Sequence, residues 1–272
     1  MIKELLSPEQ AIKDLTNQIN NKKNHDAKLA LIKVGDSIEV KKKAANISTC
    51  CKSFDLNVWT IELPELLPED VLAKSVYTVS QDPSINGVMI ICQEKYNSYL
   101  LGAAAGQKDV EGRLYTDSGK FLPSLISSTL YLLASNNVSC INKNILVVYD
   151  DHENLLCSAF KDTVFARNTA LTEHNIDYDG TFAIVPENTD IVLSLTKKDV
   201  ELDFTNSSPE QLIIDAGIKY SGSTITGGIK IENLKGFNGK LCAIPGGIDA
   251  IIPYIIVLNT LSAKNDKIVD KS

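Results

Sequence analysis

The run Ile145-Leu-Val-Val-Tyr149, followed by Asp150-Asp-His-Glu153 and an apolar-periodic segment from Asn154, most constrains the fold of this chain. A short unbroken apolar run that ends in a turn and continues as a helix reads as a buried strand of a parallel sheet. In dinucleotide-binding folds this turn holds a pyrophosphate: its glycines let the backbone approach, and the helix N-terminus attracts negative charge. Here the turn has no glycine and carries three acids, Asp150, Asp151 and Glu153. Like charges a few ångströms apart repel by roughly 1–4 kcal/mol per pair. Either Asp150 or Asp151 suits a helix cap, and Glu153 suits the helix dipole. The scaffold is that of a nucleotide fold, and the turn opposes a phosphate.

Strand-like and helical runs alternate along the rest of the chain, the pattern of an α/β protein with parallel sheets. Ser7-Pro8-Glu9 opens a helix, with serine as cap and proline at its first position. Lys28–Val34, Asn57–Glu62 and Gly87–Cys92 read as strands, with helices over Lys41–Lys52 and from Leu67–Asp70 onward. A second set follows Asn136-Asn137: the strand from Ile145, a helix near Asn154–Arg167, and strands at Ile191–Leu195 and Gln211–Asp215. Tyr220–Gly228 reads as a hairpin or loop, and Ile251–Leu261 as a helix despite Pro253. The join between the two α/β halves falls near Tyr131–Asn144.

Composition excludes several function classes. With 44% hydrophobic residues the 272-residue chain can build a proper core, which excludes global disorder. A net charge of −7 argues against nucleic-acid binding, which needs a basic field. Lys41-Lys42-Lys43 is the one compact basic run and suits a solvated helix face. No apolar stretch approaches a membrane span, and the start of the chain is too acidic for a signal peptide. The six cysteines lack C-x-x-C spacing and several sit in apolar runs, as reduced cytoplasmic cysteines do. His25, His152 and His174 are far apart in polar surroundings, so no metal site is expected.

At Lys108-Asp-Val-Glu-Gly112 and Ile244-Pro-Gly-Gly-Ile248 the chain resembles the bifunctional methylenetetrahydrofolate dehydrogenase/cyclohydrolases, the FolD type. Leu29–Asp36, Asp82–Gly87, Gly112-Arg-Leu, Gly119–Pro123, Asp190–Ser194, Ile214–Lys219 and Leu258–Leu261 are similar to further family segments in the same order. The resemblance implies an N-terminal α/β domain over 1–138, completed by 254–272, and an NAD(P)-binding Rossmann-like domain over 139–253, around a central cleft. It also implies folate in the cleft, NADP on the Rossmann side and a homodimer. The family reactions are hydride transfer from methylene-tetrahydrofolate to NADP and hydration of the resulting cation.

The chain departs from the family at most chemical positions. The family's Y-x-x-x-K pair places the tyrosine on Lys43 and the lysine on Ile47 in an ungapped alignment. With four residues removed before Ser37, Glu39-Val-Lys-Lys-Lys43 matches instead. Four residues is about one helical turn, so Lys43 faces the same side in both frames and is the lysine proposed for the cleft, with a solvated face as the competing reading. Gln93 stands two residues beyond the position of the family's lysine-supporting glutamine, where Ile91 now sits; a polar loop role competes for it. Glu111 replaces the aspartate that grips the pterin ring, while Asp109 suits a structural turn. Some seven residues are missing between Gly112 and Arg113, and only Pro123 survives of P-C-T-P. Pro245, Gly246 and Gly247 keep the glycine turn, where Asp249 replaces a third glycine. The cofactor-binding arginine and serine of the family are absent at Tyr149–Cys157.

These residues set the expectations. Lys43 and Gln93 are the catalytic candidates. Glu111, Pro123, Pro245, Gly246 and Gly247 are the candidates for binding a folate or related small molecule. No dinucleotide cofactor is expected, nor nucleic acid or membrane. At most a residual family activity is expected and, if any remains, it is methenyl-folate hydrolysis. The alternative is a non-catalytic paralogue that binds a ligand or partner, as a homodimer or as a subunit of a larger complex.

Overall fold

A computed structural model describes residues 2–22, 26–93, 95–115, 120–165, 168–204, 206–221 and 224–265. His25, Gly119, Arg167 and Gly222, which figure in the segments above, lie outside the described residues. In chain order the first elements are β1 (Glu4–Leu5), α1 (Glu9–Asn21), β2 (Lys28–Val34), α2 (Ile38–Ser53), β3 (Asn57–Leu63), α3 (Glu69–Gln81), β4 (Gly87–Ile91), α4 (Ser98–Ala105) and α5 (Ser124–Ser135). There follow β5 (Asn144–Tyr149), α6 (Asn154–Phe165), β6 (Ala170–Asn175), α7 (Ile176–Asp179), β7 (Phe182–Ile184), β8 (Ile191–Ser194) and β9 (Val200–Asp203). The last are β10 (Leu212–Asp215), β11 (Lys219–Ser221), β12 (Thr224–Thr226), β13 (Ile229–Lys235), β14 (Lys240–Cys242) and α8 (Ile248–Asn265). The chain divides into two units, residues 12–127 with 252–272 and residues 1–11 with 128–251.

The first unit, the three-strand lobe, has a parallel sheet in the order β3-β2-β4. All of β4 and most of β2 are buried on both faces, which explains why they read as unbroken apolar runs. Ala30, Ile32, Val34, Val88 and Ile90 pack on Leu72 and Val76 of α3 and Leu101 and Ala105 of α4. The start of α2 is fixed by Ser37, whose hydroxyl accepts from the Val40 N–H at 3.3 Å. The helix buries Val40, Ala44, Ile47 and Cys51, a helical repeat along one face. From residue 252 onward the closing helix α8 belongs to this lobe. Gly87 leaves no room for a side chain there, because a Cβ would fall 2.6 Å from Val110 and 2.9 Å from the Thr260 hydroxyl.

The second unit, the six-strand lobe, is Rossmann-like. Its parallel sheet runs β1-β14-β10-β8-β5-β6. The N-terminal strand β1 joins this sheet at its edge, beside β14, although it precedes the whole three-strand lobe in the chain. A second parallel sheet, β13-β9-β7, covers one face. Leu146, Val148, Val192, Ile213 and Leu241 of the large sheet meet Ala183, Val200, Leu202 and Ile229 of the small one. From β5 the chain goes to β6 on one side and later to β8 on the other. The strand order therefore reverses at the C-terminal ends of β5 and β8, the place where such folds open a ligand crevice. β11 and β12 form an antiparallel pair, from Lys219 opposite Thr226 to Ser221 opposite Thr224.

Candidate functional site

Lys43 and Glu111 come together in the three-strand lobe, with Lys43 Nζ 3.2 Å from Glu111 Oε1. Lys43 is half-buried on α2, one position from buried Ala44, so it lies at the margin of the packed face. Glu111 follows a segment fastened beside β4: the Val110 N–H donates to the Val88 carbonyl at 3.2 Å. The Asn259 amide on α8 donates to the Val110 carbonyl at 2.9 Å. Gly112 has φ +78°, and a Cβ there would meet Leu122 and Pro123 at 2.5–2.6 Å. That close approach brings Pro123 beside the backbone of Glu111, whose carbonyl accepts from the Ser124 N–H at 2.9 Å. Lys43, Glu111 and Pro123 thus share one neighbourhood.

A third charged group completes it. Arg113 Nε donates to Glu111 Oε2 at 2.9 Å, Nη2 to the Ile90 carbonyl at 2.7 Å, and Nη1 to the Ser98 hydroxyl at 3.3 Å. Burial alone would push the Glu111 carboxyl up, but the Arg113 guanidinium and the Lys43 ammonium overcome it and bring it down to about 2. Glu111 is therefore a fixed carboxylate, an acceptor for N–H donors and a poor carrier of protons. Asp109 serves the turn, accepting from the Leu114 N–H at 2.7 Å, and burial pushes its carboxyl up to about 6. Arg113 lies in the family-like segment Gly112-Arg-Leu, at none of the chemical positions named above. Its signal in the sequence is rarity, since 25 of the 27 basic residues are lysine and only Arg113 and Arg167 are arginine.

The remaining candidates lie elsewhere. The Gln93 side-chain amide donates to the Glu65 carboxylate and not to the Lys43–Glu111 pair. Its loop is tied down with it, for Tyr96 Oη donates to the Glu65 carbonyl at 2.8 Å and the Leu67 carbonyl at 3.1 Å. Pro245, Gly246 and Gly247 belong to the six-strand lobe, where the Ile244–Pro245 peptide is cis and Gly246 has φ +95°. Asp249 accepts from the N–H groups of Gly246 and Gly247, both at 2.9 Å through Oδ1. The carboxylate that replaces a glycine thus takes the two amides of the turn. Among the described residues no three of His, Cys, Asp and Glu converge as metal ligands. No helix among them is long and apolar enough to cross a membrane.

At the strand-order reversal of the six-strand lobe the turn after β5 is similarly self-occupied. Asp150 is buried and caps the turn, accepting from the His152 N–H at 3.0 Å. Its other oxygen accepts from the Thr196 hydroxyl, which stands just past the end of β8. The Asp151 N–H donates to Asp177 Oδ2 at 3.1 Å. Asp151 itself accepts from Asn175 Nδ2 at 2.9 Å and Tyr178 Oη at 3.3 Å. Glu153 lies 3.5 Å from Lys197 Nζ. Two backbone amides of the turn thus point at the protein's own carboxylates.

This architecture defines a class: a two-lobed α/β chain whose closing helix returns to the first lobe. No family model matches the chain. It is 22% identical to the bifunctional protein FolD of Clostridium beijerinckii over 271 residues, covering 92% of each. It is 23% identical to that of Rickettsia bellii over 269 residues, covering 93% of this chain and 92% of that one. Among solved structures, the bifunctional enzyme FolD of Campylobacter jejuni matches with a TM-score of 0.75 at 17% identity, over 97% of this chain and 99% of that one. The Thermoplasma acidophilum dehydrogenase/cyclohydrolase matches with a TM-score of 0.75 at 19% identity, over 98% and 100%. The Trypanosoma brucei protein, described as complexed with NADP cofactor and inhibitor, matches with 0.74 at 14% identity, over 98% of each chain. The chain thus resembles the bifunctional methylenetetrahydrofolate dehydrogenase/cyclohydrolases of folate one-carbon metabolism, at 22–23% identity to the two FolD relatives above.

Proposed function

We propose that this chain binds a reduced folate without using a dinucleotide, and that hydration of a methenyl-folate is the one family reaction left to it. The observation that carries this reading is the Lys43–Glu111 pair at 3.2 Å, the one lysine and the one carboxylate that the resemblance singles out. Glu111, held as a carboxylate by Arg113 and Lys43, suits the N–H donors of a pterin ring. In the reaction, water adds to the cationic methenyl carbon and loses a proton to solvent. One carbon–nitrogen bond then breaks: its electron pair goes to the nitrogen, which takes up a proton, while the new hydroxyl gives up its own proton to become the formyl carbonyl. Lys43 contributes by orienting the water, and Glu111 by holding the ring.

Loss of the dinucleotide is supported by the turn after β5. Its amides donate to Asp150 and Asp177, and a pyrophosphate would meet Asp150, Asp151 and Glu153 at close range. These residues do not fit NADP. The alternative, a non-catalytic paralogue that binds a ligand or partner, is favoured by Gln93 being engaged with Glu65 and by Asp249 capping Gly246 and Gly247. Exposed Phe182 and Ile184 on the edge strand β7 support the homodimer that the resemblance implies, and light scattering tests it.

Calorimetry with tetrahydrofolate, a methenyl-folate and NADP separates these readings. Folate binding with hydrolysis above the uncatalysed rate, abolished in Lys43→Met, supports residual chemistry. Binding with no hydrolysis supports the paralogue. Absence of folate binding overturns the proposal.

A further inference from the structure

We infer that Arg113 is a positioning residue of the Lys43–Glu111 site, anchoring the Glu111 carboxylate so that it can serve at once as ring acceptor and as partner of Lys43. The inference rests on the reading of that site given above. It starts from geometry. The guanidinium is a planar fork, and here each of its three nitrogens has a different task. Nη2 grips the backbone near the end of β4 through the Ile90 carbonyl, and Nη1 reaches Ser98 at the start of α4. Nε is left for Glu111. The fork is thus fixed to two elements before it meets the carboxylate, and its orientation passes to Glu111. The backbone around it is equally fixed: at Gly102 of α4 a Cβ would fall 2.7 Å from the Leu114 nitrogen and 2.9 Å from Arg113. A lysine would bring one charge but no planar fork to reach these partners together. This accounts for an arginine in a chain that otherwise prefers lysine.

The carboxylate is then divided between two cations, Oε2 facing Arg113 and Oε1 facing Lys43. Each oxygen keeps further acceptor capacity for a ligand N–H. The charged and titratable groups around Glu111 and Arg113 are Lys43 on α2, Asp109 in the turn and Cys92 just past β4, whose thiol burial pushes up. Removing Arg113 leaves the carboxylate mostly buried with Lys43 as its remaining cation.

The test follows the Glu111 side-chain carboxyl by carbon NMR on the full chain, without ligand, its resonance assigned by loss in Glu111→Gln. In the wild type this resonance is expected to stay flat down to pH 4. In Arg113→Met it is expected to titrate within the folded range, while Arg113→Lys, which restores the charge, returns it toward flat. An arginine with a merely structural role would lower stability and leave the resonance flat in Arg113→Met, and that result overturns the inference. Should Arg113→Met fail to fold, the double variant Arg113→Met/Glu111→Gln decides: folding of the double variant supports the coupling, and failure of both overturns it. Tetrahydrofolate calorimetry reads the underlying proposal separately. Absence of folate binding in the wild type would sink that proposal and leave the Glu111 titration standing.

Discussion

Replacing Glu111 with glutamine removes the negative charge shared by Lys43 and Arg113 while keeping the side chain's size. Its effect can be worked from the folded carboxyl, which is brought from the ordinary glutamate value of 4.5 to about 2. At about 1.4 kcal/mol per pH unit, that displacement corresponds to about 3 kcal/mol of folding stability near neutral pH. An independent route agrees, since removing one partner of a buried ion pair typically costs roughly 3–5 kcal/mol. Trp59, the chain's single tryptophan, lies on β3 in the same lobe, so its fluorescence in urea reports the unfolding of that lobe. The midpoint is expected to fall by about 1–2 M at pH 7. The pH dependence has a definite sign. Because the folded carboxyl titrates below its unfolded value, the contribution is full above about pH 4.5 and is lost as pH falls toward 2. The gap between wild type and Glu111→Gln should therefore narrow on acidification. A gap under about 1 kcal/mol at pH 7, or one of constant size between pH 5 and pH 3, would show that the Glu111 carboxylate does not stabilise the fold through its two cations.

Three further outcomes are expected. Asp249→Ala deprives the Gly246 and Gly247 amides of their acceptor and should lower stability by about 1 kcal/mol in thermal unfolding; an unchanged midpoint contradicts the cap. Gly217→Ala would place a Cβ 1.8 Å from the Thr196 carbonyl oxygen, so a loss of about 3 kcal/mol or more is expected, and a stable variant would show that the hairpin base can shift. Neither NADP nor NAD should bind saturably at micromolar concentration by calorimetry; such binding would disprove the reading of the acidic turn.

What the sequence made legible was the part buried on both faces. Runs such as Leu29–Val34, Gly87–Ile91 and Ile145–Val148 can be little else than interior strands, and each is one. The small sheet was not legible. Phe182–Ile184 and Val200–Asp203 are three or four residues long and alternate buried with exposed positions, too short for the period to declare itself. The helix of Lys43 is legible, but its cap is not, because Ser37 is separated from the apolar face by Ile38 and Glu39, both exposed. At the site, Glu111 and Pro123 carried motif signals, and Gly112 joins them by geometry that only the fold reveals. Gln93 illustrates the opposite case: strand periodicity gives a side, and the loop after Ile91 turns that side toward Glu65. Arg113 follows a long deletion relative to the family pattern, and the segment Gly112-Arg-Leu by itself carries no role for its guanidinium.

The carboxylate of Asp215 has a consequence for how this lobe can change over time. It accepts from the Gly217 N–H at 3.1 Å, the Gly228 N–H at 3.2 Å and the Ile229 N–H at 3.0 Å. The chain that leaves the end of β10 and the chain that re-enters at β13 are therefore knotted to the same side chain. Everything between them is an excursion closed at its base, and its length is decoupled from the sheets on either side. Doubling such a closed segment adds only about 0.6 kcal/mol of loop entropy. That stretch is accordingly a natural graft point, where a longer hairpin, a recognition segment or a foreign insert can be accepted while the parallel strands keep their register.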